Sequence, residues 1–174
     1  MERDITLANL LRLAIKAEET AEVFYRRLAE KFFEFDEIST LWEKMAEDEN
    51  AHVRYIENIR ESLTPAQLDA DTDFDLLRKA NEVVKFSADE LLNSVKTLNE
   101  AYNLAHDIEH SEVNYVFRFL INKFADSEQV KKFAIAQLKE HLDRLMNFGK
   151  KFGAEFRESV PVCSKKPDLQ PSDK

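Results

Sequence analysis

Apolar residues recur at spacings of three and four over four long stretches of the chain, the periodicity of amphipathic helices. The first stretch begins after Asp4 or Thr6 and carries Leu7, Leu10, Leu11, Ala14, Ala17, Ala21, Tyr25, Leu28 and Phe32 on one face. The second follows a turn near Phe35-Asp36, with Ile38, Leu41, Met45, Ile56, Ile59 and Leu63 on its inner stripe and Pro65 as a stop just beyond. A capping box at Thr97-Leu-Asn-Glu100 predicts the start of the third helix, running to about Phe124. The fourth starts near Asp126-Ser127 and runs to about Phe148, with Gly149 and Gly153 as stop signals.

Between the second and third helices lies a connector over about 64–96, too long for a bare loop in a compact domain. It holds short helical patterns, and Ser87-Ala-Asp-Glu90 is a second capping box. No Gly or Pro occurs from Ala66 to Phe148, which reads as helix rather than sheet. The expected fold is all-α: a four-helix bundle over residues 1–158, made of two antiparallel hairpins joined by a long crossover. The stretch 159–174 holds three of the four Pro and much Ser, Lys and Asp, the composition of a disordered tail.

The two hairpins resemble each other. Residues Thr6–Glu18 align without gaps on Thr97–Glu109, with identities at the Thr-Leu start, at Leu13/Leu104, Ala14/Ala105 and Glu18/Glu109. The second and fourth helices align at a shift of 89, which matches Phe35 with Phe124 and His52 with His141. Each match is weak alone; together they point to two related helical hairpins.

Polar residues interrupt the apolar stripes at corresponding places. Glu18 takes an inner slot between Ala14 and Ala21; Glu49 and His52 lie between Met45 and Ile56. Glu109 and Glu112 lie between Ala105 and Tyr115/Val116, and His141 lies between Leu138 and Leu145. Glu18 is seventeen residues before Phe35 and His52 seventeen after it, so both sit about 25 Å from the turn at 1.5 Å rise per residue. Glu109 and His141, each sixteen residues from Ala125, meet in the same way. Four carboxylates and two imidazoles then converge on one interior layer. An unpaired buried carboxylate costs several kcal/mol or takes up a proton, and the stripes carry no Lys or Arg at that level. Metal cations answer the problem, and mixed carboxylate and imidazole ligands suit iron or manganese. A Glu three residues before a His is common by chance, so Glu49-Asn-Ala-His52 carries little alone; the constellation carries the reading. His106 and His110 read as surface or cap residues.

Charge and cysteine content narrow the classes. A formal net charge of −9 with no basic stripe argues against nucleic acid or an anionic membrane as the main partner. No apolar run reaches the roughly 18–20 residues of a spanning helix, and the start of the chain lacks a signal-peptide apolar core. The lone Cys163 forms no internal disulfide and completes no Cys-only metal site. A cytoplasmic protein is the expectation.

With those residues in view, the chain resembles the rubrerythrin-like branch of the ferritin-like di-iron carboxylate proteins over roughly Thr6–Phe148. The likeness rests on Leu13-Ala14-(x)3-Glu18-(x)5-Phe24-Tyr25, on Glu49-Asn-Ala-His52, on Leu104-Ala105-(x)3-Glu109-(x)5-Tyr115, and on His141-Leu142. It implies a ferritin-like bundle holding two iron ions, with manganese or a single metal as alternatives. By that likeness Glu18 and Glu109 are terminal ligands, Glu49 a bridging ligand, and His52 and His141 terminal imidazoles. The family's second Glu-x-x-His is broken, because Leu138 stands three residues before His141. Glu112, one helical turn past Glu109, is the best substitute carboxylate; Glu140 is a poorer one and the Gln137 amide a distant third candidate. With one Cys the sequence has no Cys-x-x-Cys pair to carry an iron electron relay.

The function implied is a non-haem di-iron oxidoreductase active in oxidative stress, reducing peroxide or dioxygen with electrons from an external donor, as a homodimer. Tyr25 and Tyr115 are candidates to hydrogen-bond an oxygen species at the site or to pack beside it. The rival is a non-catalytic ferritin-like protein with a degenerate or single-metal site, for iron binding, storage or scaffolding.

Overall fold

A computed structural model describes residues 5–85 and 87–152, apart from the side chains of Val83, Glu112 and Val113. Helix α1 spans Leu7–Lys31 and α2 spans Asp36–Ser62. The crossover holds α3 (Pro65–Leu68), α4 (Phe74–Val83) and α5 (Ala88–Leu92); α6 (Leu98–Glu109), α7 (Glu112–Phe124) and α8 (Glu128–Lys151) follow. The tail from residue 159, with Cys163, and Gly153 lie outside the described residues.

Local chemistry sets the helix starts. The Thr6 hydroxyl accepts from the Asn9 amide, satisfying one of the four orphan donors at the start of α1. Thr97 and Ser87 form full capping boxes with Glu100 and Glu90, and Thr64 forms a third with Gln67. Ser127 caps α8 through the Val130 amide. The crossover is fastened at its start: Leu7 N donates to Ala70 O at 3.0 Å and Thr72 N to Ile5 O at 2.9 Å. Its α4 then packs on α1 and α7, and α5 on α1.

Two expectations are corrected. The third long helix is two, with a break at His110-Ser111. No Pro or Gly marks it; the Asn114 side chain takes the Glu109 carbonyl instead. His110 Nδ1 lies 2.9 Å from the His106 carbonyl, the two rings stack at 4.0 Å, and Asn114 Nδ2 donates to the Glu109 carbonyl at 2.6 Å. Second, Gly149 does not end the fourth helix, which runs through it to Lys151. A Cβ at Gly149 would stand 2.2 Å from the Tyr102 hydroxyl, so its role is close packing between α8 and α6.

The core is split in two. One apolar cluster gathers Ala21–Ala29 of α1 with Phe32 just beyond it, Ile38–Ala46 of α2, Ala101 and Ala105 of α6, and Leu145 and Phe148 of α8. The other gathers Leu7–Ile15, Val53–Ile59, Val116–Ile121, Ala134 and Leu138. Each fully buried Leu or Phe contributes about 1.5–3 kcal/mol, and these two clusters hold the bundle. Between them lies a layer of buried Glu and His.

Candidate metal centre

The layer consists of Glu18, Glu49, His52, Glu109 and His141, all buried. They come from α1, α2, α6 and α8; on α1, α2 and α8 they fall where the apolar stripe passes from one cluster to the other, and on α6 at its last residue. Two groups of three ligand atoms form within it, Glu18/Glu49/His52 and Glu49/Glu109/His141, every atom within 4.8 Å of the others in its group. Glu49 belongs to both. Its Oε2 lies 2.9 Å from His52 Nδ1 and its Oε1 lies 3.3 Å from His141 Nε2. On the flanks, Glu18 Oε2 is 3.6 Å from His52 Nδ1, and Glu109 Oε1 is 2.9 Å from His141 Nε2.

These groups crowd one another electrostatically. Burial, then the charge of Glu49, pushes the Glu18 carboxyl up to about 8. Burial also acts to raise Glu49, but His141 and His52 outweigh it and hold the group well below the usual carboxylate range. Burial acts to lower His52, yet Glu18 and Glu49 push it up to about 10. For His141 burial is likewise outweighed, here by Glu49 and Glu109, and its affinity for a proton is well above ordinary. The imidazoles thus hold protons where a dication would sit.

The donor set fits such a cation. His141 Nε2 is close to two carboxylates but aligned for a hydrogen bond with neither, so the atoms converge on a shared point rather than on each other. Three carboxylates with two imidazoles suit iron or manganese. Among the described residues no Lys or Arg enters the layer to neutralise it.

Sequence reasoning overlooked a further pair, Asp48 and Arg144. Asp48 Oδ2 lies 3.2 Å from His141 Nδ1 and is itself bound by the Arg144 guanidinium. Burial acts to raise Asp48, but His141 and Arg144 hold it below the ordinary aspartate value. The available signal was its place beside Glu49, turned about 100° around α2 toward α8.

The tyrosines part ways. Tyr25 is fully buried, donates to Glu109 Oε1 at 2.5 Å and stacks on Trp42 at 5.9 Å. Tyr115 is 54% exposed, with Lys79 Nζ 4.3 Å over its ring, and does not face the layer. Glu140 is exposed. Gln137 accepts from the Tyr55 hydroxyl at 2.9 Å instead of entering the layer. Leu138 is fully buried in the apolar cluster. The Glu112 side chain lies outside the described residues. His106 is half-buried and His110 exposed, stacked on each other.

None of the described helices is long and apolar enough to cross a membrane. Comparison with protein-family models matches residues 9–149 to the family described as Rubrerythrin. Neither the curated proteins nor the solved structures give a match.

Proposed function

The chain belongs to the rubrerythrin family, and from that premise we propose that it reduces peroxide, or dioxygen, at an iron pair held by the five buried residues. Family and site together make it a ferritin-like redox protein with two Glu/Glu/His clusters suited to two metal ions, consistent with a di-iron oxidoreductase. In the proposed assignment Glu18 and His52 would hold one iron and Glu109 and His141 the other, with Glu49 shared between the two groups. The bridging position of Glu49, with one oxygen toward each imidazole, carries the reading.

The iron pair, when bound, supplies two electrons to peroxide or dioxygen. The chain supplies the rest. Glu49 turns one carboxylate oxygen to each group, Oε2 to His52 and Oε1 to His141. Asp48 and Arg144 fix the tautomer of His141, leaving its Nε2 lone pair free to ligate. Tyr25 keeps a proton at its hydroxyl, since burial and the Glu109 charge both oppose its ionisation. Leu138 and Phe117 keep water from the layer.

An external electron donor, a homodimer and a cytoplasmic location complete the proposal, supported by the family likeness. The test is metal content and visible absorption of protein purified without chelator, followed by peroxide consumption with a chemical reductant. Two irons per chain and reductant-dependent peroxide loss are expected. One iron or none, with no peroxide loss, favours the non-catalytic ferritin-like alternative.

A further inference from the structure

Resting on the two-metal reading above, we infer that the two metal positions are unequal. The Glu49/Glu109/His141 position binds its ion tightly, and the Glu18/Glu49/His52 position binds weakly and exchanges its ion first.

A neutral imidazole gives one nitrogen lone pair to a metal and keeps a proton on the other, which needs an acceptor. His141 has one. With Nε2 toward the carboxylates, its Nδ1 proton goes to Asp48, 3.2 Å away, and Arg144 holds Asp48. For His52 the geometry is reversed and incomplete. Its Nδ1 faces Glu49 and Glu18, and among the described residues its buried Nε2 has no hydrogen-bond partner. The neighbour on its ring is apolar: Phe117, at 4.4 Å between centroids. Once Nδ1 ligates, His52 must bury an unsatisfied N–H.

The carboxylates repeat the asymmetry. Glu109 is oriented by the Tyr25 hydroxyl at 2.5 Å and by Asn114 Nδ2 at 3.0 Å. Among the described residues no hydroxyl or amide donates to Glu18.

The internal repeat accounts for the difference. At the shift that matches His52 with His141, Asp48 matches Gln137 and Glu49 matches Leu138. Gln137 is the residue that would stand to His52 as Asp48 stands to His141, and it is turned to Tyr55 instead. Loss of the second bridging carboxylate at Leu138 touches both positions; loss of the outer carboxylate touches one.

The test titrates the full metal-free chain with Co(II) under anaerobic conditions, read by visible absorption and calorimetry. Two phases are expected, with dissociation constants differing by about 10–100-fold, the size of an outer carboxylate's effect on a ligating His. Asp48→Asn should weaken the tight phase by about that factor and move the weak phase by less than about twofold. Arg144→Met should weaken the tight phase by less than Asp48→Asn does, and provides a second variant should Asp48→Asn fold poorly. His52→Ala should abolish the weak phase and leave the tight one. Two equal wild-type phases, or a tight phase lost with His52, would overturn the inference while leaving the two-metal reading standing. No Co(II) binding at all would overturn both.

Discussion

Tyr25 and Glu109 are joined by a 2.5 Å hydrogen bond between residues 84 apart in the chain, the tyrosine hydroxyl donating to Oε1. The bond closes α1 onto α6 inside the layer and leaves a proton beside a carboxylate that faces His141. Tyr25→Phe should therefore retain bound metal but slow peroxide reduction, by about 100-fold or more if the hydroxyl passes its proton on in the reaction. Glu109 keeps Asn114 as a donor, so unfolding free energy should fall by only about 1–3 kcal/mol. Unchanged turnover in this variant would reduce Tyr25 to a packing role.

Glu49 is common to both groups of three. Glu49→Ala should remove most bound metal, whereas Glu140→Ala, on an exposed face of α8, should leave metal content unchanged and stability within about 0.5 kcal/mol. Metal analysis of the two variants checks this. Full metal content in Glu49→Ala would rule out the site.

Without metal, the layer depends on its protons. His52 rises from its ordinary 6.5 to about 10 in the fold, so its contribution is complete below 6.5 and is lost as pH climbs through about 10. Glu18, raised from 4.5 to about 8, acts in the same direction, its contribution complete below 4.5 and lost as pH climbs through about 8. Glu49 is depressed, so its share is lost only in acid. The melting temperature of the chelator-treated protein should therefore fall between pH 6.5 and 10. Metal replaces those protons and binds better as they leave, so the metal-loaded protein should lose less over that interval. A metal-free form that grows more stable over the same range would contradict this account.

The described layer holds three carboxylates, one fewer than two ferrous ions require for neutrality. Glu112, which opens α7, is the proposed fourth. Glu112→Gln should then empty one metal position. If the site has instead decayed, that variant changes nothing, and Leu138→Glu raises occupancy by placing a carboxylate back in the layer. Iron content of the two variants, loaded side by side, decides between them.

The tail is proposed to supply no ligand and little core. Truncation after Glu158 should leave the melting temperature and metal content as they are. A drop in either would show that residues 159–174 dock on the bundle or on a second subunit.

Much of this was legible because a buried polar residue breaks a periodic stripe. Glu18, Glu49, His52, Glu109 and His141 each stand where the 3.6-residue pattern calls for an apolar side chain, and each is buried. Features carried by side-chain bonding were not legible. At the break at His110-Ser111 the Asn114 side chain takes the Glu109 carbonyl, without Pro or Gly to announce it. Counted at about 100° per residue from Glu109, Tyr115 falls about 120° away and Val116 within about 20°, in keeping with Tyr115 pointing out while Val116 points in. Gly149 reads as a helix stop by type but serves contact with Tyr102, a partner 47 residues away that no local pattern shows. Asp48 sits off the inner stripe, where a carboxylate normally meets solvent; only the approach of α8 gives it a histidine.

The break also gives Glu109 a mechanical character the other four lack. Glu18, Glu49, His52 and His141 sit mid-rod, where moving the backbone means breaking helical hydrogen bonds on both sides. Glu109 is the last residue of α6, and its carbonyl is held by a side-chain amide rather than by the next turn. Its carboxylate therefore rides on a joint, latched by Asn114 and Tyr25.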